Sequence, residues 1–245
     1  MGQERCPVCF GSTTYSETVR LAKFLAKAGV CSRRQAETYI IKGLVLVNGM
    51  PAEITTPVGL EDVVLFDGKR VQLMSDFRTV LFNKPRGVIC TTSERERPNL
   101  QDCLQLSERL YPIGRLDKDS EGLLLLTNDG DLALKLTHPR YEHEKEYEVT
   151  VAKKVDSQSL SRLAKGIELE DGFTLPAKVV SKGPSTFRIV LKEGRNRQIR
   201  RMCEALGWRV KKLIRIRSGS LKLDVEVGDF RDVSPSEIES LLKSS

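Results

Sequence analysis

Residues 112–130 read PIGRLDKDSEGLLLLTNDG, and the frame of the chain follows from them. Leu123 to Leu126 is an unbroken apolar run, the pattern of a strand buried on both faces. Just before it, Gly114-Arg115-Leu116-Asp117-Lys118-Asp119-Ser120-Glu121-Gly122 is the densest polar cluster in the sequence. Just after it, Asn128-Asp129-Gly130 turns into a helical pattern carrying Leu132, Leu134 and Leu136. A polar loop pinned to the end of a buried strand is rigid, and rigid loops are where chemistry is mounted. Asp117, Asp119 and Glu121 place three carboxylates there, with Arg115 and Lys118 as counter-charges. A carboxylate beside a sugar acts as nucleophile or cation stabiliser at an anomeric carbon. The same cluster also reads as a salt-bridged surface loop.

Outward from this stretch, short strands alternate with turn residues and helices. Val80-Leu81-Phe82 leads into Asn83-Lys84-Pro85-Arg86-Gly87 and then Val88-Ile89-Cys90. Tyr147 to Val151 alternates as a strand does, and Phe187 to Leu191 reads as another. Leu160 to Ile167 and Gln198 to Leu206 read as helices, the second opened from Gly194 and ended by Gly207. The class is α+β with a large, mainly antiparallel central sheet.

A different pattern occupies the first part of the chain. Leu21, Phe24, Leu25 and Ala28 follow helical spacing closed by Gly29. Ser32 with Gln35 predicts a capping box for a second helix presenting Ala36, Tyr39 and Ile40. Leu44 to Val47 before Asn48-Gly49, and Val63 to Phe66 before Asp67-Gly68, predict two strands with tight turns. The expected organisation is a flexible extension over 1–18, a small module over 19–69, a linker over 70–78 and a larger domain over 79–245.

The chain has 245 residues, 40% apolar and 30% charged, with a net charge of +7. No run approaches the ~18 apolar residues that a spanning helix needs, so no membrane partner is expected. Nine of the 40 Lys/Arg but one of the 33 Asp/Glu fall between Arg195 and Arg217. That segment carries +8 and the remainder −1, which points to a polyanion bound at one defined place. Arg195, Asn196, Arg197, Gln198 and Arg201 are its candidate nucleic-acid contacts, and Arg200 keeps step with Ile199 as if to point inward at an acid. Lys23, Arg33 and Arg34 would give the small module a second phosphate-binding face, and read equally as a solvated helix face. Arginines in a first helical turn oppose the helix dipole, so a sequence that accepts them needs them elsewhere.

The six cysteines are scattered, and no hydrophobic leader precedes them, so a reducing cytoplasm is expected. Cys6-Pro-Val-Cys9 is half of a zinc-site spacing with no second half; no metal and no cofactor is expected. Neither a phosphate-binding glycine loop nor a dinucleotide fingerprint is present.

Taken together, residues 19–66, with RLAKFLAKAGVCSRRQAETYI and the later VLVNG turn, resemble an S4 RNA-binding domain. Residues 79–235 resemble the pseudouridine synthases that modify bacterial ribosomal RNA. Within them the likeness is to the branch holding the small-subunit synthase and types B, E and F of the large-subunit synthases, and it is nearest to type F. The matching stretches are LFNKPRG at 81–87, PIGRLDKDSEGLLLLTNDG at 112–130, HEKEYEVTV at 143–151 and GRNRQIRRMCEALGWRVKKLIRIR at 194–217. The resemblance implies that Asp117 is the catalytic aspartate, Tyr147 the active-site tyrosine and Arg200 the basic partner of the aspartate. It also implies that Leu213 packs against the uracil and that Arg115 holds RNA whose target base has left its stack. Asp119 and Glu121 are left as structural residues. The implied reaction turns a uridine of 23S ribosomal RNA into pseudouridine: the C1′–N1 bond breaks, the uracil turns in place, and C5 rejoins C1′.

The implied partner is ribosomal RNA, free or in a pre-ribosomal particle, met by a monomer. The same chemistry on tRNA or 16S ribosomal RNA is an alternative. A non-catalytic RNA-binding assembly factor on this fold is another, opposed by the presence of Asp117, Tyr147 and Arg200 together. A glycoside hydrolase suits the paired carboxylates but not the basic segment.

Overall fold

The computed structural model describes residues 18–59, 61–74, 76–91, 96–106, 108–138 and 143–243. The Cys6/Cys9 pair lies outside them. The chain divides between Asp76 and Phe77 into two units.

In the first unit, the helix Leu21–Lys27 ends before Gly29, whose φ of +73° suits glycine. The helix Arg33–Ile41 starts with the expected box: Gln35 N–H donates to Ser32 Oγ at 3.2 Å, and Ser32 N–H donates to Gln35 Oε1 at 3.0 Å. Leu21, Leu25, Ala36 and Val45 are wholly buried in one cluster with Ile40 and Val64. The strands Val45–Val47 and Val64–Phe66 pair antiparallel at the centre of a four-stranded sheet. Asn48-Gly49 and Asp67-Gly68, all with positive φ, close its two hairpins.

The second unit is built on a nine-stranded sheet. Its path runs through the strands Lys178–Gly183, Thr186–Leu191, Lys145–Val151, Val210–Ser218, Glu121–Thr127, Thr79–Lys84 and Phe230–Asp232. Every pairing is antiparallel except that of Val210–Ser218 with Glu121–Thr127. The 123–126 run is buried on both faces. Leu123 and Leu125 join Leu81, Leu132 and Leu136, whereas Leu124 and Leu126 join Val80, Phe82 and Leu100. Each leucine so buried contributes about 2 kcal/mol.

Three details differ from the expectations drawn from sequence. Leu134 is 60% exposed, because Leu132 and Leu136 occupy the sheet-facing side of the helix Gly130–Thr137 and Leu134 falls opposite them. The helix expected from Leu160 starts earlier, at Ser157, where Asp156 accepts from Ser159 N–H at 2.7 Å, and ends at Lys165 before Gly166. The helix Gln198–Glu204 is entered not from Gly194 but through Arg197, held at φ +48° in the capping position.

The one parallel pairing depends on Gly122. Its φ is +103°, and a Cβ there would lie 2.4 Å from the Arg215 carbonyl oxygen and 2.8 Å from its nitrogen. Neither contact can relax, since both atoms are backbone. Gly122→Ala is expected to destabilise the protein by about 3 kcal/mol or more. Urea unfolding checks this; an unchanged midpoint would show that the two strands can reseat.

Candidate active site

The 114–122 loop is held from several sides before its carboxylates do anything. Leu116 is buried, and its N–H meets Cys90 Sγ at 3.3 Å. Gly87 N–H donates to Lys118 O at 2.7 Å, and Ser120 N–H donates to Asp117 O at 3.0 Å. Behind Gly87, the wholly buried Lys84 donates through Nζ to Pro85 O at 2.9 Å and Val88 O at 2.8 Å. Burial lowers this ammonium's affinity for its proton, and the charges of Glu121 and Asp117 are among those opposing the loss. Lys84 therefore shapes the turn that clamps the loop, a role that its place in a run of strand residues did not announce.

Asp117 stands on this loop at a cleft of about 700 Å³. Tyr147, Leu213, Lys145 and Arg215 line the same cleft from two neighbouring strands. Tyr147 is paired with Arg215 and Val149 with Leu213 across those strands. Leu213 is buried and Tyr147 packs at the junction of two apolar clusters. Arg115 also lines the cleft, on the exposed side of the loop.

The expected pairing of Asp117 with Arg200 is not the one formed. Arg197 Nη1 approaches Asp117 Oδ2 at 3.9 Å and Asp119 Oδ2 at 3.8 Å. Arg200 instead donates through Nη2 to Asp119 O at 2.9 Å and Ser120 Oγ at 3.3 Å, bracing the loop from behind, while its Nε is buried without a partner. The left-handed backbone at Arg197 turns that side chain toward the carboxylates, which no spacing rule announces.

Much of the basic segment is engaged within the protein. Arg195 donates to Glu193 at 3.0 Å, to Gly172 O at 2.9 Å and to Phe173 O at 2.6 Å. Arg201 makes two 2.9 Å bonds to Asp171. Gln198 is buried and donates to Glu193 at 2.6 Å. These three hold the Glu168–Phe173 hairpin and the helix start; Asn196 and Arg197 remain exposed beside them. In the first unit, Arg33 and Arg34 are exposed on their helix and Lys23 is half-buried.

Lys145 is a cleft residue that the sequence did not single out. Burial first, then the Arg215 charge, bring its ammonium down to about 8. The clue available was its spacing of two from Tyr147, which puts both on one face of a strand.

Similarity to known proteins bears on this arrangement. Residues 78–205 match the RNA pseudouridylate synthase family, and residues 19–64 match the S4 domain. The chain belongs to the RNA pseudouridylate synthase family, joined to an S4 domain, and is an RNA pseudouridine synthase.

Among particular relatives, it is 42% identical to the dual-specificity RNA pseudouridine synthase RluF of Escherichia coli (strain K12) over 92% of this chain and 79% of the relative. It is also 42% identical to the ribosomal large subunit pseudouridine synthase B of Bacillus subtilis (strain 168), over 91% of this chain and 95% of that one. A crystal structure of a pseudouridylate synthase superposes with a TM-score of 0.68 at 33% identity, covering 91% of this chain and 99% of the other.

Two outcomes are expected from the charges described here. Arg33→Ala with Arg34→Ala should lower the salt slope of RNA binding by roughly 2, whereas Arg201→Ala should leave the slope unchanged and lower the unfolding midpoint; filter binding and thermal melts separate the two. Lys145→Met should be more stable relative to wild type at pH 7 than at pH 10. The folded-state pKa lies below the unfolded one, so wild type bears the cost of the buried charge at pH 7 and is relieved of it as pH rises through about 8 toward 10.5. Urea titrations at the two pH values measure the difference; an equal gap at both would show that Lys145 is not desolvated.

Proposed function

We propose that this chain isomerises uridine to pseudouridine in 23S ribosomal RNA, with Asp117 as the group facing C1′. The observation that carries the reading is the place of Asp117: on a clamped loop, just before a strand whose leucines are buried on both faces, opening onto a cleft of about 700 Å³ walled by Tyr147 and Leu213. A group that must meet one carbon needs such fixity.

In this reading the target nucleotide leaves its stack, at a cost of a few kcal/mol. Arg115, on the exposed side of the loop, holds the RNA from which the base has been drawn. Leu213 and Tyr147 give the uracil an apolar and aromatic wall to turn against. Arg197 faces the Asp117 carboxylate as its counter-charge, and Arg200 positions it through the loop backbone. Exposed Arg33 and Arg34, with Lys23 beside them, give the S4 domain its phosphate contacts, with Asn196 and Arg197 adding to them at the cleft.

The ribosomal target is supported by the relatives named large-subunit synthases. The Escherichia coli relative is named dual-specificity, which favours a second RNA as an additional substrate. The reading places a monomer in the cytoplasm, acting on free RNA or on a pre-ribosomal particle.

Incubation with unmodified large-subunit, small-subunit and transfer RNA transcripts, mapped by chemical adduct and primer stop, tests it. A stop in large-subunit RNA is expected. Asp117→Asn should lose it, with a rate reduced about 10³-fold or more and an RNA Kd within about threefold of wild type. Full activity in Asp117→Asn would overturn the role of the aspartate, and stops confined to tRNA would overturn the target.

A further inference from the structure

The strands Lys145–Val151 and Val210–Ser218 lie side by side and sort their side chains onto two faces. Away from the cleft, charges are matched across strands. Arg217 donates to Glu146 and to Glu144, each at 3.0 Å, and Arg188 donates to Glu148 at 3.1 Å. On the cleft face the pattern reverses. Lys145 and Arg215 stand beside Tyr147 and Leu213, and among the described residues no carboxylate comes within 4.0 Å of either cation.

Both cations are instead tied to backbone oxygens. Arg215, 4% exposed, donates through Nε to Leu123 O at 2.6 Å. Lys145 donates through Nζ to His143 O at 3.2 Å. A buried guanidinium beside a half-buried ammonium, with no carboxylate near either among the described residues, is a costly arrangement. The same two strands avoid that cost on their other face. An anionic oxygen entering the cleft would offset it.

The geometry points to Lys145 and Arg215 as a cationic floor that meets the uracil oxygens while the C1′–N1 bond is broken, an inference that rests on the reading of Asp117 given above. When that bond breaks, its electron pair stays with the ring, spread over N1, O2 and O4. C1′ is left electron-poor opposite the Asp117 carboxylate. The charge is discharged when a ring electron pair forms the C5–C1′ bond; C5 then gives up its proton and N1 gains one, so the isomerisation needs no net proton.

The interleaving of Leu213 and Tyr147 with the two cations decides between base and phosphate. An apolar and aromatic wall fits a flat ring, whereas phosphates have the exposed Arg115 and Arg197 at the rim. Preorganised cations aimed at a charge present only during reaction act on rate, not on ground-state binding.

The test is single-turnover kinetics at saturating enzyme on the transcript that wild type modifies, carrying uridine or 5-fluorouridine at the target. Lys145→Met and Lys145→Gln should each be slowed about 10²-fold, with RNA Kd within about threefold of wild type, and Lys145→Arg should recover most of the rate. The electron-withdrawing fluorine stabilises the departing ring, so the loss of the original nucleoside should be less impaired by the variants in the 5-fluorouridine transcript. Wild-type rates in both variants would overturn the inference. So would weakened binding with an unchanged saturated rate, the mark of a phosphate contact, and so would an equal defect on the two transcripts. Asp117→Asn run alongside keeps the two readings apart: if it is inactive while Lys145→Met is not, only the cationic floor fails; if it is active, the reading of Asp117 fails.

Discussion

The contact between Gly122 and the backbone of Arg215 ties the two halves of the catalytic unit together. The strand Glu121–Thr127 and the strand Val210–Ser218 lie almost a hundred residues apart in sequence and run parallel, so only a close backbone approach lets them pair. A side chain at position 122 has no room. Because they pair there, the loop that ends at Gly122 is delivered to the edge of a surface made by Tyr147, Leu213 and Arg215. The polar loop and the cleft wall, each built locally, become one site through that contact.

Around it, charge is used in two ways. Arg195 and Arg201 bind carbonyls and a carboxylate of a neighbouring hairpin, Gln198 binds Glu193, and together they shape the mouth of the cleft. The ion pair of Arg201 with Asp171, partly open to water, is worth about 0–1 kcal/mol, against about 2 kcal/mol for one buried leucine. The value of these three side chains is therefore in placing backbone, and the stability of the unit comes from the two clusters packed on either face of the 123–126 run. Lys145 and Arg215 belong to the other use, charge held where it is not balanced.

Local signals in the sequence were legible because their causes are local. Capping by Ser32 and Gln35, the Asn48-Gly49 and Asp67-Gly68 turns, and the double-faced burial of Leu123 to Leu126 each follow from a few consecutive residues. The position of Asp117 at the end of a buried strand was legible for the same reason. The partner of Asp117 was not. Whether Arg197 or Arg200 reaches it depends on a positive φ at Arg197 and on where the helix Gln198–Glu204 starts, and both are set by packing against a loop eighty residues away. Lys84 was hidden likewise, since its burial is decided by the turn it binds at Pro85 and Val88 and by residues such as Cys103 and Glu121 that come near it only in the fold.

The α+β class, the elements of the small module and the loop that presents Asp117 are all written in the order of residues, because periodicity, capping and turn chemistry act over a few residues. The sequence also carried the family in long ordered motifs. The fold was needed to set which arginine faces the carboxylates, which cations are consumed within the protein, and that Lys145 and Arg215 line one cleft with no carboxylate near either among the described residues. Those outcomes turn on distances between residues far apart in the chain, and electrostatic energy follows distance and burial, which no local pattern encodes.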